Sequence, residues 1–179
     1  MKIAALVAIA LSAGVARAGP VVTYSVSGSA GNWVLDFSVT NNLNPADMDI
    51  YFFGVELDTG RNIAGSPAGY DPSVWFTWDN SAYGGSTEIY NNIWIEFTYS
   101  QLLPGQTLSG FQTLYTGASA PIEVDYFCYG TSLSGGQYNG TDYFNNPWNP
   151  GFEGTAFIPV PASLTVIGLA GVIASRRRR

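Results

Sequence analysis

The chain has 179 residues and a formal net charge of −6, but from Gly19 to Ile158 its 13 acids face one base, Arg61, so these 140 residues carry −12. That balance leaves no basic footprint for nucleic acid and disfavours anionic lipid, while it favours solubility and divalent cations. With no histidine anywhere, no lysine between Gly19 and Ile158 and the single cysteine Cys128, the composition excludes Ser-His-Asp, Cys-His and Ser-Lys hydrolases, zinc sites built on His or Cys, and an internal disulfide framework.

The first element is a leader. Lys2 opens it, an apolar run extends from Ile3 to Val15, and Ala16-Arg17-Ala18 precedes Gly19. An apolar run of about 13 residues is shorter than the ~20 needed to span a bilayer, and small residues at Ala16 and Ala18 suit signal peptidase. Residues 1–18 therefore read as a secretory signal peptide, with a mature chain beginning at Gly19. No cysteine adjoins the site, so a lipid-modified amino terminus is not expected.

The next 140 residues, 19–158, are the size of one domain with a substantial core. No helical period is sustained, and turn residues recur every ~8 to 15 positions, the pattern of a sandwich or barrel. In chain order, Val21 to Ser27 reads as a weaker strand, and Trp33, Leu35, Phe37 and Val39 form one face of a half-buried strand. Tyr51, Phe53, Val55 and Leu57 form the next face; Val74, Phe76 and Trp78 follow, then Ile93, Ile95, Phe97 and Tyr99. Leu108 to Tyr115 is a weaker strand, Ile122, Val124, Tyr126 and Cys128 form another face, and Thr155 to Ile158 closes the set at eight strands. Between them, Asn139-Gly140 is the preferred pair for a type I′ hairpin turn, flanked by Tyr138 and Tyr143. The same residues form a glycosylation sequon, Asn139-Gly140-Thr141, for which the turn is the simpler explanation.

Three groups of residues merit a functional reading. Trp75 and Trp94 have the parity opposite to the assigned core faces, among Ser73, Thr77, Asn92 and Glu96. On a wet face an indole can stack on a sugar while Glu96 and neighbouring amides bind its hydroxyls; on a dry one the same rings only stabilise strands. Asp47 with Asp49, and Glu123 with Asp125, stand at alternate positions whose oxygens suit calcium, although ordinary solvated acids look the same. Cys128 has no nearby cation to activate it and reads as a buried thiol. Carboxylate-only glycoside hydrolysis needs just two acids, but 13 acids supply such pairs by chance, so the chain is read as a non-enzyme without a required cofactor.

The last element, residues 159–179, is built in three parts: Pro159-Val160-Pro161-Ala162, an uncharged and mostly apolar run to Ser175, and Arg176, Arg177, Arg178 and Arg179. As a helix the run of 14 residues would be about 21 Å long, short of the ~30 Å hydrocarbon core, a gap that snorkelling arginines and local thinning reduce. The arginines would hold that end on the cytoplasmic side and leave the body outside. This order of proline motif, apolar helix and arginine cluster resembles the PEP-CTERM sorting signals of Gram-negative exosortase substrates. The family pattern is Pro-Glu-Pro and a small residue, whereas Pro159-Val160-Pro161-Ala162 is closer to the variant signals written VPxPA. The resemblance implies a tail that first stops in the inner membrane and is then removed near its prolines by an exosortase-type membrane enzyme, delivering the protein to the cell surface or polysaccharide matrix.

The sequence therefore predicts an exported, single antiparallel two-sheet β-sandwich, Ig-like or jelly-roll-like, with a structural or adhesive role in an exopolysaccharide or biofilm setting. The alternative is a carbohydrate-binding module that uses exposed tryptophans.

Overall fold

The computed structural model describes residues 19–43, 48–67, 75–78, 83–84, 89–96 and 101–159. Their regular structure is entirely β. The strands are β1 (Val21–Ser29), β2 (Asn32–Thr40), β3 (Asp49–Val55), β4 (Ile63–Gly65), β5 (Trp75–Thr77), β6 (Tyr83–Gly84), β7 (Ile89–Tyr90), β8 (Asn92–Glu96), β9 (Thr107–Tyr115), β10 (Glu123–Thr131), β11 (Phe144–Asn146) and β12 (Asn149–Phe157). Each of the eight expected strands has a counterpart, although Val74, Phe97 and Tyr99 lie outside the described residues, and the four additions, β4, β6, β7 and β11, have two or three residues each. Runs that short carry too few alternations to give a period.

Instead of two separate antiparallel sheets, hydrogen bonding follows one path, β4-β9-β2-β1-β12-β10-β3-β8-β5, with β11 beside β12 and β6-β7 paired apart. The two halves of the path join where β1 and β12 run parallel, at the single register Thr23↔Phe157. All other pairings are antiparallel. The path folds over on itself. Phe111 on β9 meets Phe53 on β3 at 4.9 Å between ring centroids and Trp94 on β8 at 5.5 Å, although β9 pairs with neither strand. Near the free edges Trp94 Nε1 donates to Gly65 O on β4 at 3.0 Å, so a side chain spans the gap that would otherwise separate the ends of a nearly closed barrel.

Alternation decides β2: Leu35, Phe37 and Val39 are buried while Asn32 is exposed and the intervening residues are partly wet. Its register with β9 shifts between Phe37 and Ser38, where Gly110 is the extra residue. Gly110 has φ 100°, a conformation open to glycine, and its amide donates to Asp36 Oδ1 at 3.0 Å. Gln112 Nε2 donates to the other oxygen, Asp36 Oδ2, at 2.9 Å, so one carboxylate caps the bulge and clamps the neighbouring residue.

The main core lies between the two halves and contains Val22, Phe37, Phe53, Trp75, Trp94 and Phe111. A second apolar cluster occupies the opposite face of β3, β8 and β10, with Phe52, Tyr90, Ile93, Ile95, Phe127 and Tyr129. β8, most of β3 and the stretch of β10 from Tyr126 to Gly130 are consequently dry on both sides. β3 buries Phe52 as well as Phe53, and β8 is buried along its whole length. Burying one large apolar side chain contributes about 1.5–3 kcal/mol, which rewards a doubly covered strand over an alternating one.

Two buried asparagines, Asn41 and Asn92, and the half-buried Asn91 fix the connections. Asn41 is fully buried; its Nδ2 donates to Met48 O at 2.9 Å and Leu102 O at 2.8 Å, and its Oδ1 accepts from Leu43 N at 2.9 Å. Asn91 pairs with both backbone groups of Leu57, and Asn92 accepts from Asn62 N and donates to Gly60 O.

The hairpin expected at Asn139-Gly140 is not formed. Neither residue has the positive φ that a type I′ turn requires at both central positions. The Tyr138 and Tyr143 rings do meet, edge to face at 5.6 Å, and Tyr138 OH donates to Asp142 Oδ1 at 2.7 Å. The reversal falls a few residues later, between β11 and β12.

Candidate functional site

Trp75 and Glu96 stand opposite each other on β5 and β8, with Trp94 two residues before Glu96 and opposite Thr77. The three expected site residues are therefore neighbours, but the wet face expected for them is overturned: Trp75 and Glu96 are each 2% exposed and Trp94 is fully buried. Trp94 stacks on Phe53 at 5.6 Å and 15°, and Trp75 meets Phe111 edge-on. Parity failed because β8 is covered on both faces, and at β5 it is reversed, with Phe76 exposed and Trp75 inside. In this arrangement Trp75, Trp94 and Glu96 present no stacking surface to a sugar.

Trp148 is the tryptophan that does. It is 57% exposed and occupies the two-residue connection, Pro147-Trp148, between β11 and β12. Asn146 Oδ1 accepts from the amides of Trp148 at 3.1 Å and Asn149 at 2.9 Å, which caps the turn with a side chain. Asn145 has φ 79°, in the left-handed region where asparagine is tolerated. Tyr51 OH on β3 donates to Asn149 Oδ1 at 2.8 Å, and the Phe144 ring packs edge-on to Tyr129 on β10 at 5.6 Å. An indole is thus held out from the sheet by a braced turn, with asparagine amides beside it. Asn146-Pro147 is itself a turn signal, and it could have located the tip.

The calcium candidates divide. Asp47 lies outside the described residues, and Asp49 is buried at the start of β3. Glu123 and Asp125 project from the exposed face of β10 into a cleft of about 280 Å³, which Glu56, Asp58 and Tyr115 also line. Asp125 Oδ1 accepts from Thr155 Oγ1 at 2.9 Å. Among the described residues no three acidic, His or Cys side chains converge closely enough to hold a metal ion. At the cleft, burial, then the hydrogen bond and charge of Asp58, raise the Tyr115 pKa. Burial, then the Glu123 charge, push that of Tyr24 up to about 12, and Tyr24 OH donates to Pro121 O at 2.7 Å. Cys128 is fully buried, and burial raises its thiol pKa far above the ordinary value.

The sorting residues Val160, Pro161, Ala162 and Arg176 to Arg179, and the leader residues Ala16 and Ala18, lie outside the described residues. Pro159 is described: it is exposed and lines a cleft of about 320 Å³ with Thr23, Ser25, Asp36 and Ser109. At the other end Pro20 is buried, and its carbonyl accepts from Tyr126 OH at 2.9 Å. No helix among the described residues is long and apolar enough to cross a membrane.

No protein-family model matches the chain. No curated protein matches it either. Among solved structures it is similar to an uncharacterized protein from Nocardia farcinica with an immunoglobulin-like fold, at 16% identity and a TM-score of 0.44, over 78% of this chain and 98% of that one.

Proposed function

We propose that this is an exported protein of the cell surface or extracellular matrix, an Ig-like β-sandwich carried through the inner membrane by its leader and released by an exosortase-type enzyme acting at Pro159-Val160-Pro161-Ala162. One coincidence carries the reading. Among the described residues the first strand begins at Val21 and the last ends at Phe157, so the two processing points read from the sequence, at Gly19 and at the motif that opens with Pro159, each lie two residues outside the hydrogen-bonded strands. Pro159 is exposed, as a protease-accessible motif must be. The hydroxyls of Tyr24 and Tyr115 and the thiol of Cys128 all have raised pKa values, so none of these three is an activated nucleophile, and the acidic body suits a structural role.

The test is the intact mass of the protein recovered from its native host, separately from membrane, surface and medium. The expected surface species lacks residues 1–18 and everything beyond the proline motif. A surface species that retains Arg176 to Arg179 overturns release and leaves a tethered envelope protein.

A second reading, adhesion to a polysaccharide, is favoured by the exposure of Trp148 on its braced turn. Exposed indoles stack on the apolar faces of sugars while nearby amides serve the hydroxyls. Trp148, not Trp75 or Trp94, is the residue on which this reading depends.

A further inference from the structure

We infer that the amino group released at Gly19 when the leader is removed is captured by Asp142, so that processing itself adds an ion pair to the folded body. This rests on the export reading. Hydrolysis of the Ala18-Gly19 amide consumes one water and leaves a carboxylate on Ala18 and an amine on Gly19, which is mostly protonated at neutral pH.

The receiving site is already formed. Gly19 and Pro20 border a cavity of about 240 Å³ whose wall includes Asp142, Glu153 and Tyr126. Pro20 is buried and its carbonyl is held by Tyr126 OH at 2.9 Å, which fixes the position of the residue before it. Asp142 Oδ2 lies 4.0 Å from the point that a Cβ on Gly19 would occupy. Covalent geometry then puts the Gly19 nitrogen within about 6.5 Å of that oxygen, a separation that rotation about the Gly19 Cα–C bond shortens once the chain begins there. The other oxygen, Oδ1, accepts from Tyr138 OH at 2.7 Å, so the carboxylate is oriented by a buried ring. Oδ2 accepts no hydrogen bond from the described residues.

Charge points the same way. The body has one basic side chain, Arg61, whose guanidinium donates to Trp78 O at 3.2 Å. Two carboxylates, Asp142 and Glu153, nevertheless share one small cavity at the start of the chain's first strand. A compact ammonium on Gly19 fits that wall, whereas an uncleaved leader would present a neutral amide.

The experiment compares two exported and processed full chains, one beginning at Gly19 and one carrying an extra alanine inserted after Ala18, each with and without Asp142→Asn. Intact mass verifies where each begins. Asparagine keeps an oxygen for Tyr138, removes the charge and turns the second oxygen into a donor that cannot accept from an ammonium, so Asp142→Asn should lower Tm by about 3 °C in the chain beginning at Gly19 and have little effect in the extended one. The alanine extension alone should lower Tm similarly, a comparison that holds even if the Asp142→Asn form does not fold. Equal Tm for the two unsubstituted chains, or an equal Asp142→Asn effect in both, overturns the capture. A chain that retains residues 1–18 overturns the export reading, and with it the source of the amine.

Discussion

The Phe111 ring stands edge-on to Trp75, centroids 5.1 Å apart and planes at 84°, across a core that separates strands from opposite ends of the hydrogen-bonded path. Phe111 also meets Phe53 and Trp94, so one ring joins three strands of the facing half. Trp75→Ala or Trp94→Ala should therefore cost about 3–5 kcal/mol of stability, the usual range for truncating a buried aromatic. Urea denaturation checks this. A soluble variant with unchanged stability and lost polysaccharide retention would restore a direct ligand role to these rings.

Trp148→Ala should behave in the opposite way. More than half of the side chain is exposed, so stability should change by no more than about 0.5 kcal/mol. Retention on a host exopolysaccharide column should fall if Trp148 is the adhesive residue. Unchanged retention, with the melting curve intact, removes the second functional reading.

Asn41→Ala should be among the most damaging polar substitutions. It would leave the carbonyl of Met48 and the amide of Leu43 without their side-chain partner in a buried setting, at about 1–3 kcal/mol for each group left unsatisfied, while the Leu102 carbonyl keeps its bond from Ile50 N. Thermal unfolding with retained expression of the wild type is the comparison. Gly110→Ala tests a different device, the bulge at φ 100°, and should cost at least about 1 kcal/mol by denaturant titration.

Stability should decline at strongly alkaline pH. Burial, then Glu123, raise the folded-state pKa of Tyr24 from 10.0 to about 12. The unfolded chain then loses this proton first, so the contribution is complete below pH 10 and is lost as pH rises through about 12. Burial, then Asp142, displace Tyr138 in the same direction. Denaturant midpoints measured from pH 8 to 12, with tyrosinate absorbance followed in parallel, should fall over that window; a flat profile would contradict protonated, buried hydroxyls.

Strand identity was readable wherever one face is dry and the other wet. Leu35, Phe37 and Val39 alternate with partly wet neighbours, and the expected face is the observed one. Val124, Tyr126 and Cys128 likewise point inward as expected, although Ile122, assigned to that face, lies before β10 and is exposed. At β8 the rule lost its meaning, since Ile93 and Ile95 enter one cluster and Trp94 the other. A period of two separates faces; it does not say whether the second face is covered by more protein. The Trp148 tip escaped attention because Asn139-Gly140 carried the stronger turn signature, while the fold used Asn146-Pro147.

β12 begins at Asn149, next to Trp148, and ends at Phe157, two residues before Pro159. At about 3.3 Å per residue it forms a backbone rod roughly 27 Å long between the exposed ring and the start of the tail. Tension applied between those points is carried along one strand, lengthwise through covalent bonds. Its ladder with β10, from Glu123↔Phe157 to Tyr129↔Gly151, lies alongside the load and is not peeled open pair by pair. A pull between the exposed tip and the end of β12 therefore reaches the core as shear along the ladder and not as unzipping.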